Sequence, residues 1–229
     1  MEDKVRRLGW IDLLAGVVGI VGSFIILGIG TGWIASWWPH PRILLYMNGF
    51  LTQLMFFLLL GILARVRHWN WSDYGWHKIE LSKFWGTMLK VYGLTWIINI
   101  MYSIVLFQKG ITPPSTDVYT QLLGNATPLT FILNLVLAGI LAPIFEETLF
   151  RGVIFGGLQA YFGKWTSAIL SAIFFSSLHL QAYGFFPRFI LGLMLAYLFD
   201  KYKSIYPSIA LHSLNNMIAL MLVSISGIV

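Results

Sequence analysis

Apolar residues run along this chain in long unbroken blocks. Blocks at 11–30, 43–64, 84–107 and from 128 onward are each close to or above the roughly 20 residues a helix needs to cross a bilayer core. Three more follow at 165–181, 186–199 and 205–225, the second of them rather short. Residues 153–162 are also apolar, but as a helix they reach only ~15 Å, against a core of ~30 Å. Strict two-residue alternation is missing, which argues against a β-barrel. The pattern predicts an all-α fold: a polytopic membrane helix bundle of seven or eight helices, forming a single membrane domain over residues 1–229 with no internal repeat.

The polar connections set the expected orientation. Residues 1–9 are short and basic, with Lys4, Arg6 and Arg7. The apolar block that follows contains Asp12, is too long for the core of a signal peptide and lacks a small-residue cleavage site, so it is expected to be retained as the first span. Trp10 at its start and Trp33, Trp37 and Trp38 at its end suit interfacial anchoring. Residues 65–83 mix Arg65, Arg67, His68, Lys78 and Lys83 with Trp69, Trp71, Tyr74 and Trp76, and are expected to lie along the headgroups with at most one amphipathic turn. Residues 108–127, with Pro113-Pro114 and Asp117, read as a loop. Pro128 is a good first-turn residue for the fourth helix. Pro143, inside that helix, should kink it and free the carbonyl of Gly139. The basic N-terminus and the 65–83 loop share one side, which the positive-inside rule makes cytoplasmic. Lys201 and Lys203 fall on the opposite side if residues 153–162 cross the membrane, and on the same side if those residues only re-enter it.

Composition sharpens this picture. The 229 residues are 58% hydrophobic and only 10% charged, with a mean hydropathy of +0.76, whereas a soluble domain carries about 25% charged residues. There is no cysteine, which removes disulfides, thiolate catalysis and thiolate metal ligands. The net charge of +6 sits in short loops and reads as a topology signal, so no nucleic-acid partner is expected.

Against that background one stretch stands out: Pro143-Ile-Phe-Glu146-Glu147-Thr-Leu-Phe-Arg151-Gly152. No charged residue occurs from 118 to 145 or from 152 to 163, and the chain has nine acidic residues in all, so two adjacent carboxylates here need a reason. A carboxylate at the centre of a membrane helix costs about 2.5–3.5 kcal/mol on insertion scales and usually faces a cavity with a functional role. Glu147 and Arg151 share a helix face and can form an ion pair. Glu146 is rotated by about 100° from Glu147 and is left free for chemistry.

Two later apolar blocks carry further polar groups. His179 ends Phe175-Ser-Ser-Leu-His179, and His212 and Asn216 lie in His212-Ser-Leu-Asn215-Asn216. Each alone reads as a packing residue hydrogen-bonded to a neighbouring helix. Together with Glu146 they supply a base for water, a group to orient it, and donors for an oxyanion. Two arrangements use them. In one, Glu146 and His179 act on water while His212 and Asn216 stabilise the oxyanion, with no cofactor required. In the other, Glu146, His179 and His212 hold zinc, although no His-Glu-x-x-His helix is present and Asn216 is a poor zinc ligand.

These segments resemble the CAAX-protease and bacteriocin-processing family of intramembrane proteases, the CPBP or Abi family. Its pattern of Glu-Glu-x-x-x-Arg, Phe-x-x-x-His and His-x-x-x-Asn is complete and in order here. The resemblance covers residues 128–222 as a catalytic core and includes the type II CAAX prenyl endopeptidase. It implies an intramembrane endopeptidase acting near the cytoplasmic side on a membrane-associated, lipidated or unmodified protein or peptide. It also implies Glu146 as general base assisted by His179, with His212 and Asn216 on the oxyanion. Members are often labelled metalloproteases, but the glutamate mechanism needs no metal. The expected setting is a bacterial cell membrane, with lipid and a peptide substrate as partners. The rival readings are a non-catalytic immunity or scaffolding protein of the same fold, and a transporter, which the lack of a repeated half disfavours.

Overall fold

The computed structural model describes residues 9–111 and 127–225. The N-terminal residues Lys4, Arg6 and Arg7, and most of the expected 108–127 loop with Pro113, Pro114 and Asp117, lie outside the described residues. Within them the chain is all-α. We number the helices α1 (Trp10–Trp37), α2 (Pro41–Arg67), α3 (Leu81–Gln108), α4 (Pro128–Gln159), α5 (Lys164–Ser177), α6 (Phe185–Tyr202) and α7 (Tyr206–Ile225). The first four are long and apolar enough to cross a membrane.

The main departure from expectation is α4. Residues 153–162 form no separate helix, because residues up to Gln159 continue the one that begins at Pro128. That helix is not uniformly α. It widens into π turns at Leu137–Leu141 and again at Thr148–Phe155, with the α segment Ala142–Glu147 between them. Such wide turns concentrate at functional sites. Gly152 lies inside the second wide turn. A Cβ built on it would come within 2.7 Å of the Tyr74 carbonyl oxygen. Glycine is needed here for the close approach of another backbone.

That backbone belongs to the aromatic connection between α2 and α3. Part of it packs inward against the helices. Trp71–Tyr74 form a 3-10 turn, Trp69 and Tyr74 are buried, and the Tyr74 hydroxyl donates to the Leu60 carbonyl at 3.3 Å. Gly75 follows with φ of 91°, a left-handed conformation natural to glycine, and its carbonyl accepts from Ile205 N at 2.8 Å. Ser204 Oγ donates to the His77 carbonyl at 2.7 Å. The loop therefore clamps α4 to the α6–α7 turn. Gly152→Ala is expected to unseat it, at a cost of about 1–3 kcal/mol as an overpacking change. A thermal denaturation midpoint in detergent that matched wild type would contradict this.

One end of the bundle gathers most of the described charge. Buried Asp12 near the start of α1 pairs with Arg67 at the end of α2. Trp10 stacks on Tyr161 with ring centroids 4.3 Å apart. Asp200 meets Lys164 at 2.7 Å, Lys203 at 2.6 Å and the Gln159 amide at 2.9 Å. Burial pushes the Asp200 carboxyl up, but hydrogen bonds from Lys164, Lys203 and Gln159 outweigh it and hold it down at about 2. Lys201 and Lys203 thus share the end that carries Arg65, Arg67 and Lys78, as the positive-inside rule prefers. The orientation question left by the sequence resolves this way because α4 makes one pass where two were considered.

Among the described residues, the two larger apolar cores hold most of the helices together. One joins Leu13 and Ile20 of α1, Phe56 and Leu60 of α2, Leu149, Phe150, Val153 and Ile154 of α4, and Phe175 of α5. The other packs Phe84 and Met88 of α3 against Leu191, Leu195 and Leu198 of α6 and Leu211 of α7. Helix α5 is only 14 residues long, ~21 Å, so the turn after it lies within the depth spanned by its longer neighbours. Leu180 in that turn is exposed and has φ of 52°. Irregular backbone at membrane depth is tolerated where it lines a cavity, and Leu178 and His179 do line one.

Candidate active site

Glu146 and Glu147 stand in the short α segment between the two wide turns of α4. Their environments differ. Glu147 is completely buried, with Oε2 3.1 Å from Arg151 Nε in ionic contact but out of hydrogen-bond alignment. Its Oε1 accepts from His212 Nδ1 at 2.8 Å. The expected ion pair is present, and it gains a histidine from α7. Arg151 is also completely buried. Its Nη2 donates to the Gly192 carbonyl at 3.2 Å, and its guanidinium sits 4.9 Å from the centroid of the Phe175 ring, a cation–π contact.

Glu146 is partly exposed, with side-chain accessibility of 17%, and its Oε2 lies 4.0 Å from His212 Nε2. It lines a cavity of about 310 Å³ together with Phe24 of α1, Gly49, Thr52, Gln53 and Phe56 of α2, Phe150 of α4, and Phe175, Leu178 and His179 at the end of α5. The convergence has a simple geometric basis. Phe24, Gln53 and Glu146 each lie about 20 Å along their helices from the basic end of the bundle, and the short α5 delivers His179 to a similar depth. His179 Nδ1 is 3.0 Å from the Phe175 carbonyl oxygen, a lone-pair acceptor. The proton therefore sits on Nδ1, and Nε2 carries the lone pair in the neutral ring.

His212 and Asn216 project from one face of α7 but do not line this cavity among the described residues. They stand behind Glu146 instead. Asn216 Nδ2 donates to the Ala138 carbonyl at 2.8 Å. Pro143 explains why that carbonyl is available. In the first wide turn Ala142 N donates to Leu137 O, five residues back. Continuing that register would pair residue 143 with 138, and proline has no N–H to give. The freed carbonyl is thus that of Ala138; the expectation of Gly139 assumed an α register that the wide turn shifts by one residue. Asn215 Nδ2 donates to Asn216 Oδ1 at 3.3 Å.

Two contributors escaped the sequence reading. Phe175 is the hub of the site: its ring meets those of His179 and His212 edge-on at 5.1 and 5.7 Å and also carries the Arg151 guanidinium. Its place in the Phe-x-x-x-His motif was the available signal. Gln53 lines the same cavity as Glu146, and its signal was an amide within the otherwise apolar second block. As a zinc site the residues fit poorly. Among the described residues no group of three metal-binding side chains comes together, and His212 Nδ1 is engaged by Glu147.

Comparison with known proteins agrees with this geometry. Residues 128–218 match the model of the Rce1-like type II CAAX prenyl endopeptidase family, a segment that contains Glu146, Glu147, Arg151, His179, His212 and Asn216. A protein of Escherichia coli described as an uncharacterized 24.3 kDa protein is 26% identical over 163 residues, covering 66% of this chain and 70% of that one. No solved structure matches.

Proposed function

We propose that this chain is an intramembrane peptide hydrolase of CPBP type that cleaves a membrane-associated or lipidated peptide with water activated by Glu146, a reading supported by the match of residues 128–218 to the Rce1-like type II CAAX prenyl endopeptidase family. The chain is an integral, multi-pass protein of a bacterial membrane by its long apolar helices and its Escherichia coli relative. One observation carries the mechanistic reading. Of two adjacent carboxylates, Glu147 is neutralised by Arg151 and His212, whereas Glu146 opens on a cavity shared with His179.

The chemistry follows from those positions. A water held by Glu146 donates one proton to the carboxylate and the other hydrogen bond to the His179 Nε2 lone pair. Its oxygen bonds to the scissile carbonyl carbon, the C–N bond breaks, and Glu146 passes the proton to the leaving amine. The oxyanion that forms in between needs donors. Asn216 has one N–H left after Ala138 takes the other, but it stands behind Glu146 and off the cavity wall, so the bound substrate must bring it and His212 within reach. His212 Nε2 can donate only when the ring is an imidazolium, because Nδ1–H already serves Glu147. The apolar wall of Phe24, Phe56, Phe150, Phe175 and Leu178 suits an apolar side chain or a lipid chain of the substrate.

The test is proteolysis in detergent, with mass spectrometry of products from a peptide carrying a farnesylated cysteine followed by three residues. Wild type should release the terminal fragment and Glu146→Ala should not; equal cleavage by both would overturn the proposal. We also propose that no metal is used. Turnover is expected to survive exhaustive chelation, and elemental analysis should find far less than one zinc per chain. Activity lost on stripping and restored by zinc would move Glu146, His179 and His212 into ligand roles.

A further inference from the structure

Gln53 has no task in the reaction as written, yet it is a poor residue for its position. It sits in the middle of α2, outside the segment matched by the family, and is 7% exposed. Leaving a buried acceptor unpaired is costly, and each such group in a folded protein calls for a reason. Gln53 Oε1 is one of these: it is buried and has no hydrogen-bond partner. The same side chain lines the cavity beside Glu146 and His179. Its orientation follows from donor chemistry. An ionised carboxylate only accepts hydrogen bonds, so the end of Gln53 that faces Glu146 is the NH₂ group, and Oε1 is directed elsewhere. The last torsion of glutamine is broad, so Oε1 can turn to the cavity without disturbing α2.

What would satisfy it is a donor that arrives with the substrate. The attacking water has its two hydrogens assigned, to Glu146 and His179. A peptide brings another donor, its backbone N–H. We infer that Gln53 is a substrate-anchoring residue: when a peptide binds, its carboxamide turns about the last torsion, the NH₂ group leaves the Glu146 carboxylate, and Oε1 accepts a backbone N–H of the bound peptide. This inference rests on the protease reading above. It makes α2 part of the active site and gives recognition of the peptide backbone that does not depend on side-chain identity. The substrate segment must then be extended at that point, since a helical peptide has its N–H groups occupied.

The experiment uses a quenched fluorescent peptide with a farnesylated cysteine followed by three residues, and versions of it N-methylated at one amide at a time. Wild type, Gln53→Leu and Glu146→Gln are compared in detergent. N-methylation at one position should lower wild-type kcat/KM about tenfold, the worth of one hydrogen bond. Gln53→Leu should lose about as much on the parent peptide, and N-methylation there should cost this variant nothing more. Its thermal midpoint without peptide should equal or exceed that of wild type, because an apolar group of similar size removes an unpaired acceptor. A midpoint several degrees lower would make Gln53 structural and overturn the inference. So would unchanged cleavage by Gln53→Leu, or additive losses from the two changes. Wild type that cleaves no better than Glu146→Gln sinks the protease reading, and this inference with it.

Discussion

Glu146→Gln is expected to abolish hydrolysis while leaving the protein folded and extractable. The carboxylate is the base in the proposed reaction, and such groups contribute about 10²–10⁴-fold. Glutamine keeps the shape and volume but cannot take a proton from water. Folding should not depend on the charge, because Glu146 faces a cavity and its nearest basic nitrogen among the described residues, His212 Nε2, stands 4.0 Å away. Turnover on the farnesylated peptide, read beside gel filtration and a thermal midpoint, checks both halves. Near-normal turnover would remove Glu146 from the role given to it.

The adjacent residue should behave in the opposite way. Glu147→Gln leaves the Arg151 guanidinium buried without its counter-charge, and Arg151→Ala leaves Glu147 with only His212. Breaking a buried pair costs about 3–5 kcal/mol, so both variants should show a lower thermal midpoint and poor yield. Glu147→Leu should be worse than Glu147→Gln, since glutamine still offers His212 Nδ1 an acceptor and leucine does not. If all three variants retained wild-type midpoints, the pair would be dispensable to folding. That pairing of outcomes, function lost at residue 146 and folding lost at residue 147, is what separates a catalytic site from a structural ion cluster.

Helix class, membrane character and the Glu147–Arg151 contact were legible because they depend on composition and on short-range helical spacing. Glu147 and Arg151 found each other as their spacing required. What could not be read was the wide-turn geometry of α4. A π turn has no propensity pattern of its own, so residues 153–162 looked like a separate short segment and Gly139 like the carbonyl freed by Pro143. The long-range partners were hidden for a different reason. Nothing local to Gln53 says that α2 will lie against Glu146, and nothing local to Gly152 says that Tyr74 will sit over it. Those contacts come from how α1, α2 and the aromatic loop pack on α4. The charge pattern did carry orientation, but only once the number of passes was known.

The first wide turn of α4 also decides which edits the chain can absorb. It holds one residue more than an α turn would, so a single-residue deletion within Leu137–Leu141 would leave a helix with ordinary hydrogen bonding. That shorter helix would be the wrong one. Everything from Pro128 to the deletion would swing by about 100° relative to Glu146, and the carbonyl facing Pro143 would turn away from Asn216. The proline gap would then open on lipid or on an empty space, while the acids stayed where they are. Residue count in this turn is therefore as constrained as residue identity in the motif that follows it, and drift in length here should be rarer than drift in sequence.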